Sequence, residues 1–296
     1  MTVSTTDSTG LYAVGDWVML CDARVTHRFA RQTELARRAP GTVADRQLIA
    51  ANVETLAIVT SCNADFNPAR LERYLALASA AGCVALVVLT KADTADDPAD
   101  YVQQAERLSS QVTVLAINAH DAGDVARLAQ WCGRGQTLAL LGSSGVGKTT
   151  LQNALTGVIA ATQDIRADDA KGRHTTTARA LRPTLAGGWL IDTPGIRELQ
   201  LADASEGIDA VFADVTALVG QCRFSNCGHQ TEPGCAVLAA IAAGTLDEAR
   251  LRRWQKLQSE DAQQSETMLQ RQTRLRNAGN VTRQGKARIK HKRGKG

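Results

Sequence analysis

No stretch of this 296-residue sequence approaches the roughly 20 apolar residues of a membrane-spanning helix. The opening, Met1-Thr2-Val3-Ser4-Thr5-Thr6, also lacks the apolar core of a secretory signal. Both absences predict a cytoplasmic chain with no membrane contact. No internal repeat is evident, and the length suits two or perhaps three domains. An even cysteine count is lacking too. Of seven, Cys21, Cys62, Cys83 and Cys132 are scattered and suit small buried positions, whereas the other three crowd into residues 222–235. That distribution fits a reducing compartment and one metal site better than a disulfide framework. Acid is missing altogether from residues 271–296, which hold ten Lys or Arg; the remainder carries 24 basic against 30 acidic residues. Such a tail is a candidate contact for nucleic-acid phosphates, the alternative being a disordered, solubilising end. The 44% hydrophobic content is ordinary for a soluble globular protein.

What the sequence does contain is Gly142-Ser143-Ser144-Gly145-Val146-Gly147-Lys148-Thr149-Thr150. It follows the strand-like run Thr137-Leu138-Ala139-Leu140-Leu141 and precedes a segment of helical composition. Strand, G-x-x-x-x-G-K-T, helix is the context of a phosphate-binding loop. Its glycines let backbone N–H groups converge on an anion, and the helix adds its positive dipole end. Lys148 would bind the β- and γ-phosphates of a nucleoside triphosphate, and Thr149 would ligate Mg²⁺.

Residues 1–10 read as disordered, Val14 to Leu20 reads as one strand-like segment, and residues 24–49 are polar, Arg-rich and weakly patterned. From Asn52 onward, apolar runs alternate with helical segments. Strands are expected at 55–60, 85–89, 112–117 and 137–141, with helices over 68–81, about 98–108 and 121–131, the last capped by Asp121. Near-continuous apolar strands in this alternation argue for an α/β, doubly wound parallel sheet. Two further strands, 178–182 and 189–192, flank a Gly187-Gly188 turn. The last third, from about Ser205, has helical composition.

Three further motifs bear on chemistry. Asp192, ending a strand in Asp192-Thr193-Pro194-Gly195, is the expected second Mg²⁺ partner, and Gly195 can offer its N–H to the γ-phosphate. Within Thr175-Thr176-Thr177, one hydroxyl can reach Mg²⁺ when triphosphate is bound. Thr90-Lys91-Ala92-Asp93 is placed to read a base. Asp93 accepts paired hydrogen bonds from guanine N1–H and N2–H₂, and adenine would leave the carboxylate unpaired. Downstream, Cys222-x4-Cys227-x-His229-x5-Cys235 offers three thiolates and one imidazole, a complete tetrahedral set for one structural Zn²⁺.

The order of these motifs, base reader before phosphate loop, resembles that of circularly permuted GTPases. More narrowly it resembles the RsgA/YjeQ family of small-ribosomal-subunit biogenesis GTPases. The likeness also runs through Gly15-Asp16-Trp17-Val18, Ala50-Ala51-Asn52-Val53, Glu72-Arg73-Tyr74-Leu75 and Gly172-Arg173-His174 to the Cys/His cluster. It implies an OB-like segment over 1–50 lacking its first strands, a permuted GTPase domain over 51–204, a zinc-binding helical domain over 205–270 and the basic tail 271–296. It implies GTP hydrolysis with Mg²⁺, the four cluster residues as zinc ligands, and the small ribosomal subunit and its rRNA as partners of a monomeric protein. Two departures bear on the site: Thr90 stands where Asn is usual, weakening contacts to base and loop, and the fifth GTPase element is only loosely present as Asn118-Ala119. Ile196 occupies the place where many GTPases align water with glutamine, so slow intrinsic hydrolysis, completed by a partner, is expected. The rival readings are a P-loop small-molecule kinase and a zinc-and-basic-tail RNA-binding module that uses nucleotide only structurally.

Overall fold

The computed structural model describes residues 2–38, 46–158, 180–192 and 204–265. The chain opens with two antiparallel strand pairs. β1 (Val18–Cys21) and β2 (Arg24–Arg28) are joined by Asp22 and Ala23, both at positive φ, a two-residue turn whose twist suits a hairpin. β3 (Glu34–Arg38) pairs with β4 (Arg46–Ala51). The first residues, whose polar sequence reads as disordered, are tied along β2. Ser4 N donates to Ala23 O and Ser4 O accepts from Val25 N, both at 2.9 Å.

Two motif stretches from far apart in this region lie side by side. Ala51 N donates to Val14 O, and Asn52 Nδ2 to Gly15 O, each at 2.9 Å. Asp16 anchors the turn: its carboxylate accepts from Ala13 N at 2.8 Å and from Arg31 Nε at 2.7 Å. Burial opposes the Asp16 charge, but the bonds from Arg31 and Ala13 outweigh it and hold this carboxyl below its usual range.

Strand and helix then alternate: β5 (Thr55–Ser61), α1 (Pro68–Ala80), β6 (Val84–Thr90), α2 (Pro98–Glu106), β7 (Thr113–Ala116), α3 (Ala122–Ala126), α4 (Ala129–Cys132), β8 (Thr137–Gly142), α5 (Lys148–Thr156), β9 (Ala180–Pro183) and β10 (Trp189–Asp192). One six-stranded sheet results, in the order β7-β6-β5-β8-β10-β9. Every pairing is parallel except β9 with β10. That edge departs from the parallel expectation because residues 184–188 make too short a connection for a crossover and can only fold back. The helices start where local chemistry says. Asn67 and Asp97 cap α1 and α2 ahead of Pro68 and Pro98, and Asp121 caps α3. The helix expected over 121–131 is broken into α3 and α4, because residues 127, 128 and 131 bond three positions back rather than four.

The C-terminal part is helical: α6 (Ser205–Val211), α7 (Ala213–Val219), α8 (Ala236–Ala242) and α9 (Glu248–Ser265). Alternate residues of the central strands feed two cores. Leu56, Ile58, Val87 and Leu89 pack with Leu71 and Leu75 of α1 and with Phe212, Val237 and Leu257. Ala57, Val59, Leu86 and Val88 pack with Leu151 and Leu155 of α5. Each large apolar side chain so buried contributes about 1.5–3 kcal/mol. The first core also takes in Leu35 and Ile49, so it joins the opening strands, the sheet and the C-terminal helices.

α6 lies against α1 so closely that a Cβ on Gly207 would sit 2.2 Å from Ala76 O, and only glycine fits there. α9 is fastened by ions. Arg250, 7% exposed, bonds Glu72 of α1 at 2.7 Å, Asp214 of α7 at 3.0 Å, Leu108 O at 3.0 Å and Val211 O at 2.8 Å. Its guanidinium lies 4.2 Å from the Phe212 ring centre. Arg253 makes a second contact, its one Nε–H shared between the two Glu72 carboxylate oxygens at 2.7 and 3.0 Å.

Candidate nucleotide and metal sites

The phosphate loop lies at the C-terminal edge of the parallel strands, where open α/β sheets hold ligands. Gly142 closes β8 so near β5 that a Cβ there would sit 2.1 Å from Val59 O. Gly147, at φ +86°, is the N-cap of α5 and brings no capping side chain, which leaves the first N–H groups of that helix for an anion. Ser143 is half-buried, Ser144 and Gly145 are exposed, and Val146 is buried in the second core. The Lys148 ammonium reaches back across the loop to Gly142 O at 2.8 Å and to Ser143 O. Thr149 is exposed and Thr150 half-buried in the first turn.

The base-reading stretch is bonded to this loop. Thr90 ends β6, 1% exposed, with its hydroxyl 2.7 Å from Val146 O and 3.1 Å from Thr60 O. A hydroxyl has one proton, and the shorter contact claims it. The loop contact expected to suffer from threonine is therefore made, by a shorter side chain. Lys91 adopts the left-handed conformation, φ +58°, and turns the chain into a short 3-10 turn, Ala92–Thr94, on which Asp93 is exposed. Ala92 N donates to Ile117 O at 3.3 Å, which brings Asn118 and Ala119 beside the motif. Asn118 N is held by Asp124 at 2.7 Å, and Asn118 Oδ1 accepts from His120 N at 2.9 Å. Ala119 and His120 then face Thr150, Asn153 and Ala154 of α5 across a cleft of about 350 Å³. His120 and Asn153 were not singled out by sequence; the one available signal was that His120 directly follows Asn118-Ala119.

Asp192 is the last residue of β10, which pairs in parallel with β8, so its backbone lies at the same sheet edge as the loop. Thr175, Thr176, Thr177, Gly195 and Ile196 lie outside the described residues, as does the tail 271–296.

The four cluster residues converge. Their ligand atoms all lie within 4.8 Å of one another. Cys222 Sγ is 3.9 Å from Cys235 Sγ and 3.7 Å from His229 Nδ1, which is 3.4 Å from Cys235 Sγ. Tetrahedral zinc, with Zn–S about 2.3 Å and Zn–N about 2.0–2.1 Å, spaces two sulfurs about 3.8 Å apart and a sulfur and nitrogen about 3.6 Å apart. The donor set fits the ion in number, chemistry and spacing. His229 is held at φ +55°, and its ring meets Trp254 of α9 edge-on at 5.9 Å. Cys235 is also the N-cap of α8, accepting from Leu238 N. Glu232 shapes the loop: its carboxylate gathers the N–H groups of Gly228, Gln230 and Thr231 at 2.8–3.0 Å. These bonds, Gln230's foremost, bring its carboxyl down to about 2. Burial first, and then the thiols of Cys235 and Cys222, push Cys227 up to about 11. Three thiolates this close repel one another, and a divalent cation removes that penalty.

A family model described as RsgA GTPase matches residues 28–202. "Small ribosomal subunit biogenesis GTPase RsgA" of Mesorhizobium japonicum is 55% identical over 260 residues, covering 86% of this chain and 75% of the relative. "Small ribosomal subunit biogenesis GTPase RsgA 2" of Vibrio vulnificus is 48% identical over 272 residues, 91% of this chain and 78% of the relative. The chain belongs to the RsgA GTPase family.

Among solved structures, YjeQ from Thermotoga maritima superposes with a TM-score of 0.58 at 25% identity, over 79% of this chain and 77% of that one. YloQ, titled a circularly permuted GTPase, superposes at 0.55 and 22% identity over 83% of this chain and 79% of that one, and supports the fold alone. As an RsgA-family GTPase, the chain is a hydrolase acting on GTP, with Mg²⁺ as the ion that accompanies the nucleotide. The small-molecule kinase reading falls with that assignment. Residues 222–235 lie beyond the family match, so the zinc fit rests on the geometry of the cluster. No helix among the described residues is long and apolar enough to cross a membrane.

Proposed function

We propose that this RsgA-family GTPase binds Mg²⁺–GTP between the 90–93 turn, the 142–150 loop and the end of β10, and that its hydrolysis cycle serves assembly of the small ribosomal subunit. The observation that supports this reading is the Thr90–Val146 bond, which ties the 90–93 turn to the 142–150 loop. In this reading Asp93 selects guanine, while Lys91 lays its stem along the base. The amides from Gly142 to Lys148 and the Lys148 ammonium gather the phosphate oxygens. The Thr149 hydroxyl and Asp192 would hold Mg²⁺, which would supply positive charge to the phosphates. Gly195 and a threonine of 175–177 complete the γ-phosphate shell.

Ile196 cannot orient water by hydrogen bonding, so hydrolysis by the chain alone is slow and the partner supplies the missing group. The partner is the small subunit, as the names of the relatives suggest, and the cycle runs in the cytoplasm on a monomeric chain. Four parts divide the work: an OB-like segment over 1–50, the permuted GTPase over 51–204, a zinc-stapled helical domain over 205–270 and the tail 271–296. The zinc domain and the tail bind rRNA; ten Lys or Arg without an acid suit a phosphate backbone. Purified small subunits provide the test. Tighter binding with a non-hydrolysable GTP analogue than with GDP, and faster single-turnover hydrolysis when subunits are added, are expected. Equal binding in both nucleotide states, or fast hydrolysis without subunits, overturns the reading.

A further inference from the structure

The four cluster residues are not held alike. Cys222 and Cys235 stand at the neck of the loop, where Arg223 N donates to Gly234 O at 3.1 Å. Cys222 N closes the turn after α7 on Val219 O at 3.2 Å, and Cys235 is the N-cap of α8. The hydrogen bonds of the helix ends thus fix both backbones whether or not a cation is bound. Cys227 and His229 lie on the turns between, outside any helix. His229 must also keep φ +55°, a left-handed conformation that crowds every residue with a Cβ. One carboxylate braces this tip. Glu232 Oε1 accepts from Gly228 N at 2.8 Å, and Oε2 accepts from Gln230 N at 2.8 Å and from Thr231 N at 3.0 Å. The N–H of His229 itself goes to the Cys227 sulfur. Every N–H from Gly228 to Thr231 therefore ends on Glu232 or on a ligand atom, and the left-handed residue is clamped from both sides. A Cβ at Gly228 would sit 2.9 Å from Glu232 Oε1, so the same carboxylate crowds out any larger residue there.

We propose that Glu232 is a positioning residue of the metal site: its carboxylate holds His229 in the turn that aims Nδ1 at Cys222 and Cys235, and so sets how tightly the loop keeps a thiolate-binding divalent cation. The inference rests on the reading of the cluster as a zinc site. Glu232 bonds backbone N–H groups rather than a cation, so the carboxylate serves the shape of the loop and not an ion pair. Without it, three N–H groups return to water and residues 228–232 gain freedom that binding must remove again. The cysteines of the neck keep their helices.

Metal binding by the full chain decides it. Zinc affinity is read by competition with a chromophoric chelator, and ligand geometry by the absorption bands of the Co²⁺-substituted protein. Glu232→Ala is expected to weaken zinc binding about tenfold, the lower end for a group that acts behind the ligands, and to alter the Co²⁺ bands as the imidazole leaves. Glu232→Gln keeps one oxygen where the three N–H groups use two. It is expected to fall between alanine and the parent, and it carries the test if the alanine protein fails to fold. Asp247→Ala is the control: Asp247 Oδ1 accepts from Ala249 N at 3.0 Å at the start of α9, so its loss loosens the same region away from the metal loop. A merely structural role for Glu232 predicts equal weakening in this control, with parental Co²⁺ bands in both proteins. Affinity within about twofold of the parent in both Glu232 variants, or equal weakening by Asp247→Ala, overturns the proposal. A parent that takes up no stoichiometric zinc, or whose Co²⁺ spectrum lacks thiolate charge-transfer bands, instead overturns the reading of the cluster as a zinc site.

Discussion

Replacing Arg250 with methionine removes a cation from a buried network while keeping most of its aliphatic volume. Four attachments end at that guanidinium, and they are unequal. Asp214, with its side chain 51% exposed, turns to water when released and costs little. Leu108 O and Val211 O lose a donor in the interior, at about 1–3 kcal/mol for each group left unsatisfied. Glu72, fully buried, keeps the shared Nε–H contact from Arg253, which limits the damage from that side. Breaking a buried pair from one side typically costs about 3–5 kcal/mol, and the two orphaned carbonyls place Arg250→Met in that range. The reverse change, Glu72→Gln, is milder, at about 1–2 kcal/mol. The amide oxygen still accepts from Arg250, and Arg253, 25% exposed, reaches solvent. Urea unfolding of the two single variants and the double variant measures each loss and their coupling. An Arg250→Met loss under about 1 kcal/mol, or one no greater than that of Glu72→Gln, would refute the claim that α9 is held chiefly by this hub.

Thr90→Val keeps the shape of the buried side chain but leaves Val146 O without its hydroxyl, so GTP affinity should fall roughly tenfold with the fold intact; titration with fluorescent GTP checks this, and unchanged affinity removes the loop tether from nucleotide binding. Asp93→Asn exchanges an acceptor for a donor and should shift preference from GTP towards xanthosine triphosphate; competition between the two nucleotides reads the outcome, and an unaltered preference takes Asp93 out of base recognition. The Asp16 carboxyl is held below its unfolded value of 3.8. The folded chain therefore binds fewer protons there, and the contribution of Asp16 is complete above that value and fades as pH falls through the folded one. Stability measured from pH 6 downward should drop less steeply in Asp16→Asn than in the parent, and identical slopes would count against the Asp16–Arg31 anchor.

The parts that could be read from sequence are those whose physics is local. β5, β6 and β8 are buried on both faces and so spell continuous apolar runs, and the caps of α1, α2 and α3 sit one residue before their helices. The Cys/His cluster was legible because zinc ligands lie close in sequence and the geometry has few solutions. β2, β3 and β4 were not read. β2 is a short strand, half-buried to exposed throughout, and burial imposes no alternation on such a strand. The α9 hub escaped for another reason. Glu72 and Arg250 each look like solvated charges on an amphipathic helix, and only the tertiary fold reveals that they meet 178 positions apart. In sequence Thr90 reads as a weakened base-motif residue, because its partner, Val146 O, is a backbone atom that no sequence pattern advertises.

The distance between Glu72 and its arginines has a consequence for the order in which the chain is made. α1 leaves the ribosome with a carboxylate whose final place has no access to water, and Arg250 is polymerised 178 residues later. At about 5–20 residues per second this interval is on the order of 10–40 s. Until then the outer side of α1 cannot close, since a lone buried carboxylate would be too costly, and the nascent chain must keep that side wet. The phosphate loop, the base turn and all six strands of the sheet are therefore synthesised before the first core can be sealed. A chain interrupted ahead of α9 would display an unsealed flank, a form that chaperones and proteases can distinguish from the finished protein.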